Sequence, residues 1–220
     1  MKILLMSDIH GALGMIDAAA HEITGHDIIV IAGDITHTGT RAEADTVIGR
    51  IEKHAKMILG VHGNWDRPEV GDLLDERGYS LHAKGRIVGD VGFFGVGGSS
   101  PTPIHTRTEY REEQIAAFIA DGYHMTHGSR IQVCVSHVPP KGAVDKTFLY
   151  TSGGSTAARD FILKNPVHLF LCGHIHEAAG TAKLHHTMVI NSGSFKKGKF
   201  VSINIGGIGA GIQVQAVKLK

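Results

Sequence analysis

Short, uninterrupted apolar runs alternating with helical patterns constrain this chain more than any other feature. Ile3-Leu4-Leu5-Met6, Ile28-Ile29-Val30-Ile31-Ala32 and Met57-Ile58-Leu59-Gly60-Val61 carry no polar residue on either face, as strands covered on both sides do. Between the first two, Ala12 to Ile23 puts Ile16, Ala19, Ala20 and Ile23 on one helical stripe. Between the second and third, Thr40 to His54 reads as a helix, with Thr40 as N-cap and Glu43 completing a capping box. The order β-α-β-α-β predicts a mainly parallel sheet with helices against it.

The second half is built differently. Arg86 to Gly98 reads as two short strands meeting around Gly89-Asp90, and Glu109 to Ile119 as an amphipathic helix. Ile131 to Ser136 and Val167 to Cys172 read as strands, with a helix from about Thr156 to Leu163 between them. After Gly173 come Thr187 to Asn191, Lys199 to Ile205 and Ile212 to Leu219, separated by Gly and Lys clusters in the manner of antiparallel strands. No repeat, linker or low-complexity segment interrupts the chain. The expectation is a single α/β domain over residues 1–220 with two sheets, the later one largely antiparallel.

Composition removes several classes. A chain that is 42% hydrophobic and 20% charged is too apolar for disorder. No apolar run approaches the roughly 18 residues of a membrane span. The apolar run after Met1-Lys2 lasts four residues and then meets Ser7, Asp8 and His10, too short for a signal peptide, so it reads as a first strand. Lys plus Arg is 22 against 21 Asp plus Glu, a net charge of +1 with no global pull toward nucleic acid or anionic lipid. Cys134 and Cys172 lie in apolar runs and read as buried small hydrophobes. Two cysteines make no disulfide framework, which fits a reducing cytoplasm.

The strand ends carry the chemistry. In open α/β sheets ligands bind outside the carboxyl ends of the strands. Here the first three strands run out into Ser7-Asp8-Ile9-His10-Gly11, Gly33-Asp34 and Gly63-Asn64-Trp65-Asp66. Later strands end in Ser136-His137 and in Cys172-Gly173-His174-Ile175-His176. Among 16 histidines one Asp-x-His or His-x-His means little, but five metal-capable stations at the same end of successive strands are not a chance pattern.

The series Asp8-x-His10, Gly33-Asp34, Gly63-Asn64-x-Asp66, His137, Gly173-His174-x-His176 resembles the calcineurin-like metallophosphoesterases over residues 3 to about 195. Gly97-Gly98-Ser99-Ser100-Pro101, Ser136-His137-Val138-Pro139-Pro140 with Asp145 following, and Asn191-Ser192-Gly193-Ser194 resemble the small, single-domain members. The resemblance implies a two-sheet β-sandwich flanked by helices, in α/β/β/α layers. It implies two divalent transition-metal ions, one held by Asp8, His10 and His176, the other by Asn64, His137 and His174, with Asp34 bridging. Mixed imidazole and carboxylate ligands suit borderline first-row ions such as Mn, Fe, Co, Ni or Zn, with Mn the first expectation. The reaction implied is phosphodiester hydrolysis, or that of an activated monoester, by in-line attack of a metal-bridging hydroxide, with Asp34, Asn64, His137 and Asp66 as the catalytic set.

One position departs from the family pattern. The usual Gly-Asn-His-Asp has Trp65 in place of the His thought to protonate the leaving oxygen, and an indole N–H has no acidic proton at neutral pH. His62, His37 and His105 are close in sequence to motif loops and are candidate substitutes. Trp65 itself reads as a packing or substrate-stacking aromatic. The departure points to phosphodiesters or good leaving groups over alkyl monoesters, since general acid catalysis is typically worth 10²–10⁴-fold. Lys141, Ser99 and His105 are further candidate substrate contacts. Lys196, Lys197 and Lys199 read as a solvated cluster, and His185-His186 as the end of a surface strand. The expected partner is a small phosphoester, nucleotides included, with a homo-oligomer compatible. Two alternatives share the fold. A silent binding scaffold would have lost ligands, whereas all seven positions here are metal-capable. A nuclease would need basic surface or added regions that a 220-residue chain of charge +1 leaves little room for.

Overall fold

The computed structural model describes residues 1–206 and 211–219. In chain order its elements are β1 (Lys2–Met6), α1 (Leu13–Ala18), α2 (Ala20–Thr24), β2 (Ile28–Ala32), α3 (Arg41–Glu52), β3 (Ile58–Val61), α4 (Pro68–Glu76), β4 (Gly85–Val88), β5 (Val91–Val96), α5 (Glu112–His124), β6 (Ile131–Ser136), α6 (Thr156–Lys164), β7 (Leu169–Cys172), β8 (Gly180–Leu184), β9 (Thr187–Asn191), β10 (Lys199–Ile205) and β11 (Ile212–Lys218).

The all-apolar runs are buried on both faces because each face meets a different layer. In β1, Ile3 and Leu5 point into the core between the sheets, while Leu4 and Met6 point outward under helices. The inter-sheet core joins Ile3, Val30 and Val61 from one sheet to Phe93, Val133 and Leu171 from the other. Outside the first sheet, Ile29 and Ile31 pack with Ile16, Ile48 and Leu74 of the α1, α3 and α4 helices. Outside the second, Phe94, Cys134 and Phe170 pack with Ile115, Ile119 and Ile162 of α5 and α6. Each fully buried side chain of this size contributes ~1.5–3 kcal/mol relative to exposure. The result is the expected two-sheet sandwich between helical layers.

The first sheet runs β11-β10-β1-β2-β3. Ile3 stands opposite Ile28, and Ile29 opposite Ile58, in parallel register, with β10 and β11 added antiparallel. The second sheet runs β4-β5-β6-β7-β9-β8. It is not largely antiparallel as expected: the β5-β6, β6-β7 and β7-β9 pairs are parallel, and only the edge hairpins are antiparallel. The α5 and α6 helices are the crossovers that parallel neighbours require. Two of the late strands, β10 and β11, return to the first sheet.

Local differences have local causes. The stripe from Ala12 to Ile23 is split at Ala19 (φ −89°, ψ 4°), yet Ile16, Ala19 and Ile23 stay buried on one side. Glu109 belongs to a loop, where it accepts from Thr102 and Thr106, so α5 begins at Glu112. Helix α4 and edge strand β8 were not expected, although Pro68 is at the start of α4, where it is favoured. No helix among the described residues is long and apolar enough to cross a membrane.

Candidate metal centre

Asp8, Asp34 and Asn64 follow β1, β2 and β3, and His137 and His174 follow β6 and β7, so both sheets deliver side chains to one end of the sandwich. The loops are zipped together by backbone bonds. Asp8 N donates to Gly33 O (3.0 Å), and both Ile9 N (2.9 Å) and His10 N (3.0 Å) donate to Asp34 O. Asp8, His10, Asp34 and His174 hold positive φ values of 56°, 46°, 53° and 67°. Such left-handed non-glycine residues cost of order 1 kcal/mol each and persist where surrounding structure over-determines them, commonly at functional sites. Two glycines are obligatory for the approach. A Cβ on Gly63 would fall on the Asp34 carboxylate, and one on Gly173 would fall on Ser7 Oγ and Asp8.

The imidazoles are aimed by their second nitrogens. His10 Nδ1 donates to Thr36 O (3.1 Å) and His137 Nδ1 donates to Ala32 O (2.8 Å), because a carbonyl can only accept. In its neutral form each ring therefore turns the lone pair of Nε2 inward. His137 Nε2 meets Asp34 Oδ2 at 3.4 Å and Asn64 Oδ1 at 2.8 Å. The amide orientation is fixed: Thr106 Oγ1 gives its proton to Glu109 Oε1 (2.6 Å), so it accepts from Asn64 Nδ2 (2.9 Å) and leaves Oδ1 facing His137. Three lone-pair donors thus converge with no proton of their own, an arrangement that requires a cation. A proton serves in the metal-free chain: burial opposes it, but Asp34 overrides burial and raises His137 to about 9.

Asp8 completes the fit. Its Oδ2 accepts from His174 N (3.1 Å). Its Oδ1 is buried with no well-formed hydrogen bond, although His176 Nε2 stands 2.9 Å away. Burial opposes ionisation of Asp8, and the His176 and His137 rings reverse that and bring the carboxyl to about 2. Ligand atoms of Asp8, His10 and His176 lie within 4.8 Å of one another, as do those of Asp8, Asp34 and His137. The mixed N/O donor set and the orphaned oxygen fit divalent first-row ions. His174 stands outside both triads, its ring edge-on to His137 at 4.9 Å. Burial, then His137, lowers it to about 4.

Asp66 touches none of these ligands' side chains. It is fully buried and accepts from Ile35 N (3.0 Å), Thr36 N (2.8 Å), Thr36 Oγ1 (2.9 Å) and Gly63 N (2.8 Å), clamping the loops after β2 and β3. Burial and then Asp34 push its carboxyl pKa up. Trp65 is half-buried, with its backbone N–H donating to Asp34 Oδ1 (2.9 Å). Of its three neighbours considered as proton donors, His62 is buried, with Nε2 at Tyr110 Oη (3.2 Å), and burial lowers it to about 3. His105 is exposed at φ 50° in the loop that Thr106 ties to Asn64. His37 packs edge-on against His10. Lys141 is exposed, with its N–H donating to Ser155 O (2.9 Å), and Ser99 is buried and spends its hydroxyl on Ser100 O (2.9 Å). Thr36, Thr106 and Glu109 were not singled out in the sequence, because their roles depend on partners distant in the chain.

A cleft of about 290 Å³ leads away from His174 between Ser100–Pro103 and Thr147–Gly154. A larger groove of about 640 Å³, lined by Met188, Val201 and Val214 among others, holds none of the seven candidate ligands.

Residues 1–205 match the sequence profile described as the calcineurin-like phosphoesterase superfamily domain. An uncharacterized protein of Methanocaldococcus jannaschii is 31% identical over 200 residues, covering 87% of each chain. The crystal structure of TT1561 from Thermus thermophilus superposes with a TM-score of 0.74 at 16% identity, covering 99% of this chain and 98% of that one. A dimetal phosphatase from Danio rerio superposes with a TM-score of 0.63 at 13% identity, covering 93% and 92%.

Proposed function

Because the chain belongs to the calcineurin-like phosphoesterase superfamily, we propose that it cleaves phosphodiester bonds at a two-metal centre built by Asp8, His10, Asp34, Asn64, His137, His174 and His176. The coarser statement follows from membership: it is a metal-dependent phosphoesterase. In this reading Asp8, His10 and His176 would hold one ion, Asn64, His137 and His174 the other, and Asp34 would serve both. Divalent ions there would supply Lewis acidity toward a phosphoryl group and toward water.

The observation that carries the reading is the convergence of His137 Nε2, Asn64 Oδ1 and Asp34 Oδ2, a cluster that needs a cation and in the metal-free chain takes a proton on His137 instead. The chain's own groups do the rest. Ala32 and Thr36 carbonyls lock the His137 and His10 tautomers. Asp66 fixes the spacing of the Asp34 and Asn64 loops. Trp65 offers no proton at neutral pH, so the leaving oxygen departs without one from that position. That favours phosphodiesters and good leaving groups over alkyl monoesters. Manganese is the first ion to try, the substrate is a small phosphoester, nucleotides included, and one domain suffices. The two free, buried cysteines suit a reducing cytoplasm.

The test is a screen of metal-stripped chain reloaded with Mn, Fe, Co, Ni or Zn against bis-p-nitrophenyl phosphate and glycerol phosphate. Metal-dependent turnover of the diester over the monoester is expected, with a loss of at least about 100-fold in Asp34→Asn. Folded protein with no turnover on any ion overturns the reading.

A further inference from the structure

We propose that Trp65 and His37 form an aromatic shelf that receives the organic group of the phosphoester and selects for a planar ring, as in an aryl ester or a nucleotide. This rests on the phosphoesterase reading above and names its substrate class.

The two rings lie 4.8 Å apart at 36°, and His37 in turn meets His10 edge-on at 5.2 Å and 79°. Since His10 is a candidate ligand, the aromatic surface starts at the centre and runs outward. His37 is exposed and Trp65 half-buried, and neither belongs to the hydrophobic clusters that build the core. A half-buried indole two residues from Gly63 and next to the candidate ligand Asn64 is therefore within the surface that a group attached to the phosphorus would meet. The backbone beneath the shelf is tied down. Trp65 N donates to Asp34 Oδ1 (2.9 Å), Thr38 N donates to Trp65 O (3.1 Å), and Arg67 Nε donates to Thr38 O (3.0 Å). His37 sits between Thr36, which is bound to Asp66, and Thr38 at φ 58°. A loop whose backbone is fixed before binding loses little entropy on binding.

Planarity is the property such a surface reads. An aliphatic group gains only buried area there, whereas an aromatic ring also gains stacking on the indole face. The cleft on the His174 side differs, being lined by Ser100, Thr102, Thr147 and Thr151 hydroxyls. The centre thus has both an aromatic surface and a hydroxyl-lined cleft beside it.

Trp65 is the sole tryptophan of the chain, so its fluorescence reports on the shelf directly. Adenosine monophosphate titrated into the zinc-loaded protein is expected to quench it, while ribose phosphate and inorganic phosphate do not. As inhibitors of bis-p-nitrophenyl phosphate hydrolysis, adenosine monophosphate is expected to bind roughly 5- to 100-fold tighter than ribose phosphate. The gap should close in Trp65→Leu, narrow in His37→Leu and largely survive in Trp65→Phe. Equal inhibition by the two phosphates in the wild type, an undiminished preference in Trp65→Leu, or inhibition without quenching overturns the shelf. Failure of the phosphoesterase reading shows separately as absent turnover on every ion, and the quenching titration then still decides whether the shelf binds rings.

Discussion

At the scale of single residues, Asp66 shows how much of a site lies outside its ligands. Its carboxylate takes bonds from two loops, and three of the four donors are backbone N–H groups with no alternative partner in a buried setting. Asp66→Ala strands those donors. The expected cost is about 3 kcal/mol, read as a lower urea midpoint, with metal affinity falling roughly 10- to 100-fold because the Asp34 and Asn64 loops lose their spacing. Unchanged stability would mean the loops hold each other without it. The ligands themselves were legible because Asp8-x-His10, Gly63-Asn64 and Gly173-His174-x-His176 carry metal-capable residues in short local patterns. The role of Asp66 was not, because Ile35 and Thr36 are about thirty positions away and only the folded chain brings them together. The convergence on His137 was illegible for the same reason: it depends on a relay from Glu109 through Thr106 to Asn64.

Elements were legible where a local rule settles them. Thr40 caps α3, with Glu43 N reaching Thr40 Oγ1 (3.4 Å) and Glu43 Oε2 accepting from Thr40 N (2.7 Å), a reciprocal pair written in four residues of sequence. Thr40→Ala is expected to cost about 1 kcal/mol, a fall of roughly 2–4 °C in Tm for a chain of this size, with turnover unchanged. A loss of activity instead would show that α3 positions the Asp34 loop more directly than its cap suggests. Pairing direction was not legible. The runs Thr187 to Asn191 and Lys199 to Ile205 look alike, yet β9 joins β7 in parallel in the second sheet and β10 joins β1 antiparallel in the first. What separates them is which sheet each strand joins, a property of the whole topology rather than of either run.

At the scale of the whole molecule, the 16 histidines couple the fold to acid. Burial lowers His62 to about 3 and His82 to about 4 from an ordinary 6.5, with His82 also facing Asp75 and Lys84. Both are neutral in the folded chain and take up a proton only on unfolding once the pH is below 6.5. Their contribution to stability is therefore full above about 6.5 and is lost as the pH falls toward 4 and then 3. Asp8 acts later, since a carboxyl held at about 2 instead of 3.8 gives up its contribution only below about 3.8. His137 has the opposite sign in the metal-free chain: raised to about 9, it stabilises below 6.5 and loses that contribution as the pH rises through 9. Metal held by His137 would remove the alkaline loss, while the burial that dominates His62 and His82, whose rings pack against Tyr110, stays. The metal-loaded protein is therefore expected to lose thermal stability steadily between pH 6.5 and 4. His82→Asn, whose amide oxygen replaces Nδ1 as acceptor for Gly97 N (3.0 Å), combined with His62→Gln should flatten that slope. A slope unchanged in the double variant would place the acid sensitivity in the metal ligands, and stripping the metal would then move it.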